Sequence, residues 1–242
     1  MSKFRILLWD IDGTVLNFDA AERAAIRKGF HTMNLGECSD EMLFDYASIN
    51  KNYWKMLERG ERTKPEILVG RFRDFFSKYG INPDYADAFN AQYQIDLGDT
   101  ICFNENALDL ITEFKATYKQ YAVTNGTAQA QHRKLSRSGL DQLFDGIFIS
   151  DELGVEKPNV EFFHLAFSKI RKDIGHVSLG EVLIIGDSLT SDIRGGNNAG
   201  IKTCWYNPDK LINTQGVQVD YEITSFHELH RMLSPLPLAS LY

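Results

Sequence analysis

The strongest constraint in this sequence is a repeated texture. Five short apolar runs, at residues 4–9, 121–124, 146–149, 182–185 and 203–206, each end near Gly, Asp, Asn or Ser. Runs of this length predict strands buried on both faces, as in a parallel sheet. Segments with a helical pattern lie between them, at 107–117, 129–138, 160–171 and 192–199. That βαβα order predicts an α/β fold with a doubly wound, Rossmann-like parallel sheet. The functional site of such a sheet lies at the C-terminal ends of its strands.

Residues 20–97 break the alternation. They read as four helices, at 20–33, 40–57, 65–79 and 85–97, punctuated by Gly36, Gly60, Gly80 and Pro83. This block follows the first strand and precedes the rest of the α/β pattern. The expected division is therefore a core of residues 1–15 and 104–242 with a helical insertion at 16–103. The crossings fall near 15–19 and 98–104. The last stretch, "SPLPLASLY" from Ser234, carries two prolines and predicts an irregular end.

Composition narrows the function classes. The chain has 242 residues, 43% of them apolar, and a formal charge of −7. That acidity gives no support to binding a nucleic acid polymer. Cys38, Cys102 and Cys204 are scattered and odd in number, which predicts free, mostly buried thiols in a reducing compartment. Asp10 cuts the first apolar run well short of a signal peptide. No run reaches the roughly 18 to 20 apolar residues of a membrane span. A cytoplasmic protein with no membrane partner is expected, and nothing in the sequence fixes an oligomeric state.

The chemistry sits at the predicted strand ends. The first run ends in Asp10 and Asp12, the second in Thr124, Asn125 and Gly126, and the fourth in Asp187 with Asp192 five residues on. Lys157 follows the third run. Parallel strands bring all of these to one rim. Carboxylates, a lysine, a hydroxyl and an amide suit Mg²⁺ and a phosphate, because Mg²⁺ takes one or two carboxylates, water and phosphate oxygen.

In order along the chain stand "DIDGT", "TNG", the lysine of "EKP" and "GDSLTSD". With these four motifs the sequence resembles the haloacid dehalogenase superfamily, in its phosphatase majority. The helical insertion matches the position of that superfamily's type-1 cap. The stretches "KPNVEFF", "DIDGTVLNFD" and "GDSLTSDIRGGNNAGIKTCWYN" further resemble the pyrimidine 5′-nucleotidase branch.

The resemblance implies a role for each residue. Asp10 is the nucleophile and forms an aspartyl-phosphate. Asp12 is the acid for the leaving alcohol, then the base for water. Mg²⁺ is held by the carboxylates of Asp10 and Asp187 and the backbone carbonyl of Asp12, with Asp192 acting from behind them. Thr124 and the Asn125 and Gly126 amides hold phosphate oxygens, and Lys157 neutralises the transferring group. The implied partner is a small phosphorylated substrate, in this branch a nucleoside monophosphate.

A magnitude explains why the set must converge. Two like charges about 4 Å apart repel by about 4 kcal/mol at an effective dielectric of about 20. An ionised Asp10 meeting a phosphate dianion faces that repulsion unless Mg²⁺ and Lys157 offset it. The same repulsion between neighbouring carboxylates raises one partner's proton affinity, which favours an acid ready to donate.

The competing readings are a sugar-phosphate or phosphoglycolate phosphatase and, outside enzymes, a phospho-receiver or an inactive binding module. A receiver carries its phosphorylated aspartate at a later strand end and has no helical insertion after the first strand. Asp12 counts against dehalogenation, which needs no acid for an alkoxide leaving group. In the insertion, Phe18, Tyr46, Tyr53, Trp54 and Phe72 offer a stacking wall for a base, though core packing is the commoner role of helix aromatics. Lys51, Lys55, Arg62, Lys64, Arg71 and Arg73 make the insertion fairly basic, most of them expected in solvent. Gly195, Gly196 and Gly200 are expected to serve packing and a helix end rather than ligand.

Overall fold

The computed structural model describes residues 3–234. Its strands in chain order are β1 (Ile6–Trp9), β2 (Lys119–Thr124), β3 (Gly146–Ile149), β4 (Val182–Gly186), β5 (Lys202–Tyr206) and β6 (Tyr221–Ile223). Its α-helices are α1 (Phe18–Thr32), α2 (Asp40–Glu58), α3 (Lys64–Lys78), α4 (Ala86–Asp99), α5 (Ala107–Phe114), α6 (Ala128–Ser138), α7 (Ser150–Leu153), α8 (Val160–Ile174), α9 (Arg194–Ala199) and α10 (Phe226–Leu233). They form two compact units, one of residues 3–17, 103–126 and 139–234, the other of residues 18–102 and 127–138.

The first unit is a six-stranded parallel sheet in the order β3-β2-β1-β4-β5-β6. The chain reverses direction across the sheet between β1 and β4, and ligands of such sheets bind at that switch point. Both faces are covered, which is why the strands read as continuous apolar runs. On one face Ile6, Leu8, Val123 and Ile184 pack with Phe162, Phe163 and Phe167 of α8. On the other, Trp9 meets Phe226 of α10, ring centroids 6.1 Å apart. The α9 helix lies close against the sheet because Gly196 has no side chain. A Cβ there would stand 2.6 Å from Thr203 Cγ2 and 2.7 Å from Ile184 Cγ2. Gly200 ends the helix at φ +71°.

The second unit is a helical bundle around Phe30, Tyr46, Phe72, Phe75, Phe76, Phe89 and Tyr93. Its helix starts are written in the sequence. Ser39 Oγ accepts from Met42 N at 3.2 Å, and Thr63 with Glu66 forms a capping box ahead of α3. Tyr46 and Phe72 stack on each other at 5.1 Å, fully buried, so the core role holds for these two aromatics. Lys64 and Arg71 are buried as well, while Lys51, Lys55, Arg62 and Arg73 face solvent, as expected for most of these basic residues. Arg71 donates to Asn50 Oδ1 at 2.6 Å, and Asn50 in turn to Glu22 Oε1 at 2.6 Å.

The expected division needs one correction. Residues 127–138, assigned by sequence to the α/β core, belong to the helical unit. The reason is a close approach of α6 to α4. A Cβ on Gly98 would lie 2.8 Å from Arg133 Cβ, and Arg133 and Arg137 both bind the Asp99 carboxylate. The crossings also differ in extent. Gly98 is still helical, and Leu16 pairs antiparallel with Phe103 while Asn104 N donates to Val15 O at 3.0 Å. Three elements have no counterpart in the sequence reading: β6, α7 and α10. The irregular end expected from Ser234 onward lies, beyond that residue, outside the described residues. Cys38 and Cys204 are buried free thiols and Cys102 is a half-buried one.

Candidate active site

Strand register brings the acidic residues together. Trp9 pairs with Ile185, so Asp10 leaves β1 beside the last residue of β4, and Asp187 follows directly. Asp10 N is still held by Ile185 O at 2.9 Å. Among the described residues Asp10, Asp187 and Asp192 form an acidic cluster whose carboxylate oxygens lie within 4.8 Å of one another. A turn of π-helix, Leu189–Ile193, carries Asp192 back against the end of β4. Gly186 makes room for it, since a Cβ there would sit 2.3 Å from Asp192 Cγ.

Lys157 joins this cluster from the segment after α7. Its ammonium has three protons and three acceptors: Asp10 Oδ1 at 2.8 Å, Asp192 Oδ1 at 2.6 Å and Val123 O at 2.8 Å. Lys157 is 1% exposed. Burial alone would depress its ammonium, but Asp10 and Asp192 outweigh that and hold it above the ordinary lysine value. The backbone of Lys157 is fixed by Asn125. Lys157 N donates to Asn125 Oδ1 at 2.9 Å, and Asn125 Nδ2 donates to Lys157 O at 2.8 Å.

The carboxylates are not equivalent. Asp192 is oriented on both oxygens, Oδ1 by Lys157 and Oδ2 by Ser188 N at 3.0 Å. Burial, then the charge of Asp192, pushes Asp10 well above the usual carboxylate range, with Lys157 working against both. Asp187 is the exposed member, yet Gly13 and Thr14 crowd the inner side of its carboxylate. Lost hydration there, followed by the charge of Asp192, pushes it up to about 7.

This arrangement fits a divalent cation. Once ionised, the three carboxylates would outweigh the one ammonium by two negative charges, which a bound divalent cation would offset. Thr14 Oγ1 lies 3.1 Å from both Asp10 Oδ2 and Asp187 Oδ1 and accepts from Asp187 N at 3.0 Å. Its single proton serves only one of those two oxygens at a time. Hard carboxylate oxygens beside that gap are the donor set Mg²⁺ prefers.

The other expected residues fall as follows. Asp12 stands in the turn after β1, half-buried, its backbone paired with Leu16. Its carboxylate is not part of the acidic cluster. Thr124 is buried at the end of β2, and its Oγ1 accepts from Gly126 N at 3.1 Å. Here the Gly126 amide is directed to Thr124, and the Asn125 side chain to Lys157. Two contributors are not among the expected residues. Thr14 stands inside "DIDGT", and its place one residue past the Asp12–Gly13 turn is the signal that marks it. Trp205 belongs to an apolar strand run, where only its lone N–H hints at a polar duty.

A family model described as haloacid dehalogenase-like hydrolase matches residues 4–200. The chain belongs to this family. This haloacid dehalogenase-like hydrolase is 37% identical to the HAD-hydrolase YfnB of Bacillus subtilis, over 97% of each chain. It is 39% identical to the pyrimidine 5′-nucleotidase PynA of Streptococcus pneumoniae over 93% of each chain. The pyrimidine 5′-nucleotidase YjjG of Escherichia coli is 28% identical, over 96% of this chain and 98% of that one. A crystal structure of YfnB bound to magnesium, which reveals interdomain movement, superposes with a TM-score of 0.90 at 36% identity, covering 97% of this chain and 100% of the other. Among the described residues no helix is long and apolar enough to cross a membrane.

Proposed function

We propose that this hydrolase is a Mg²⁺-dependent phosphomonoesterase that works through an aspartyl-phosphate and prefers pyrimidine nucleoside 5′-monophosphates. The observation that carries the reading is Lys157, buried and bound to both Asp10 and Asp192 beside Asp187. A cation so placed favours the ionised form of Asp10 against the burial that opposes it. Asp10, Asp187 and the backbone carbonyl of Asp12 would hold Mg²⁺, and the bound metal would offset charge on the nucleophile and the phosphate. The magnesium in the YfnB structure supports a divalent cation in this role.

The chemistry then assigns each side chain. An Asp10 carboxylate oxygen attacks phosphorus, and the bond from phosphorus to the ester oxygen breaks. Asp12 gives the leaving oxygen its proton. Asp12, now ionised, takes a proton from water as that water attacks phosphorus, which releases phosphate and restores Asp10. Lys157 stays charged throughout, and Asp192 keeps it aimed at Asp10. Thr124, Asn125 and Gly126 would turn their donors to phosphate oxygens when substrate arrives.

The substrate assignment rests on the PynA and YjjG relatives. The helical unit, residues 18–102 and 127–138, is the proposed cap, the part that selects among phosphomonoesters. With Tyr46 and Phe72 spent on the bundle core, Phe18, Tyr53 and Trp54 are the half-buried aromatics left to meet a base. Stacking is worth about 1 to 3 kcal/mol, so the bias is moderate rather than absolute.

The test is a panel of phosphomonoesters with wild type and Asp10→Asn. Wild type should turn over UMP, dUMP and dTMP with higher kcat/KM than purine nucleotides, phosphoglycolate or hexose phosphates, and Asp10→Asn should turn over none. A preference for phosphoglycolate or a hexose phosphate would remove the nucleotidase assignment and leave the phosphatase. Full activity in Asp10→Asn would remove the mechanism.

A further inference from the structure

We propose that Trp205 is a positioning residue for Asp187, setting the direction of that carboxylate toward the divalent cation through the indole N–H. The proposal rests on the reading of Asp187 as a metal ligand. Sheet register creates the contact. Trp205 in β5 pairs with Gly186, the last residue of β4, so Asp187 emerges beside the indole. Trp205 Nε1 donates to the backbone oxygen of Asp187 at 2.9 Å.

Tryptophan has this one donor and no acceptor. Trp205 is 3% exposed, so a partner for its N–H is required. That donor is used on the first residue past the β4 ladder, where strand pairing no longer fixes the chain. The other side of the same residue is held from the turn after β1, since Asp187 N donates to Thr14 Oγ1 at 3.0 Å. Strand β5 and the turn after β1 thus clamp the carbonyl and the amide of one residue. Asp187 is the exposed member of the acidic cluster, so the clamp on its backbone adds to the contact its carboxylate makes with Thr14 Oγ1. Gly13 limits the carboxylate from the β1 side: a Cβ there would lie 2.7 Å from Asp187 Oδ2. Removing a hydrogen-bond partner that orients a metal ligand commonly costs about 10- to 100-fold in metal affinity.

The experiment is Mg²⁺ binding, with no substrate present, to wild type and Trp205→Phe by titration calorimetry. The dissociation constant should rise about tenfold or more in the variant. Its kcat on an aryl phosphate should return to within about threefold of wild type at saturating Mg²⁺, since the defect is in metal affinity and not in chemistry. A folded variant with unchanged Mg²⁺ affinity overturns the proposal. A loss of kcat that excess Mg²⁺ does not restore overturns it too. Should the variant fail to fold, the wild-type indole N–H resonance of Trp205 decides. It should shift on Mg²⁺ addition with the calorimetric midpoint, and a resonance that stays fixed overturns the proposal. Wild type that binds no Mg²⁺ at all overturns the metal reading itself.

Discussion

At the scale of single residues, the site depends on one buried ammonium. Lys157 fills all three of its donor positions with Asp10, Asp192 and Val123 O. Lys157→Ala leaves Asp10 and Asp192 without their cation. Loss of a preorganised group aimed at developing charge costs about 100- to 1000-fold in kcat. Breaking a buried charge pair from one side costs about 3 to 5 kcal/mol. Both losses are expected, read by steady-state kinetics and by urea unfolding. Lys157→Arg should lose less activity, because charge is kept while the planar fork reaches three such acceptors poorly. Asp12 is separable from Lys157 by leaving group. Asp12→Asn should slow hydrolysis of an alkyl phosphate far more than of nitrophenyl phosphate, whose leaving group barely needs a proton. Equal slowing of both would count against Asp12 as the acid.

At the scale of elements, fit between helix and sheet decides where the rim residues stand. The α9 helix follows the π turn that carries Asp192, and it lies on β4 and β5 only because Gly196 is bare. Gly196→Ala puts a methyl 2.6 Å from Thr203 Cγ2, with rigid β-branched neighbours on both sides. Overpacking of this kind costs about 1 to 3 kcal/mol, and unfolding in urea should register it. Unchanged stability would mean that α9 can move outward freely. This is also the scale at which the sequence reads best and fails most clearly. Strands β1 to β5 are largely buried, so their apolar runs announce them, and Asp10, Thr124 and Asp187 follow from the strand ends. The β6 strand is three residues at the sheet edge with Glu222 in the middle, too short and too polar to form a run. The α6 helix reads correctly as a helix but not as part of the bundle, because its partner is chosen by Gly98 and Asp99, some thirty residues away. Trp205 is silent for the same reason. Its duty depends on which residue stands across the ladder.

At the scale of the whole molecule, both units hold carboxylates that folding makes hard to ionise, Asp10 and Asp187 in the α/β unit and Glu22 in the helical unit. Asp187 in the α/β unit is pushed up to about 7, by burial and then by Asp192. Glu22 in the helical unit is also pushed up to about 7, by burial first, with Asp19 adding to it and Arg71 opposing. The sign follows from proton counts. Between the ordinary values of 3.8 and 4.5 and about 7, the folded chain keeps protons that the unfolded chain has released. Stability from these two groups is therefore complete below the ordinary values, falls as pH rises to about 7 and is level above it. The groups differ in what relieves them. A divalent cation at Asp187 favours its ionised form, so Mg²⁺ should cancel its share of the fall. Glu22 sits among Asn50 and Arg71 in a bundle with no such acidic cluster among its described residues, and Mg²⁺ should leave its share in place. Melting temperatures from pH 4 to 8, compared with and without chelator, separate the two. The wild type should lose more stability with rising pH in chelator than in Mg²⁺, and Asp187→Asn should abolish that difference. Glu22→Gln, which keeps an oxygen for Asn50, should flatten the part that Mg²⁺ does not touch. A pH dependence identical with and without Mg²⁺ would mean that Asp187 is not where the cation acts.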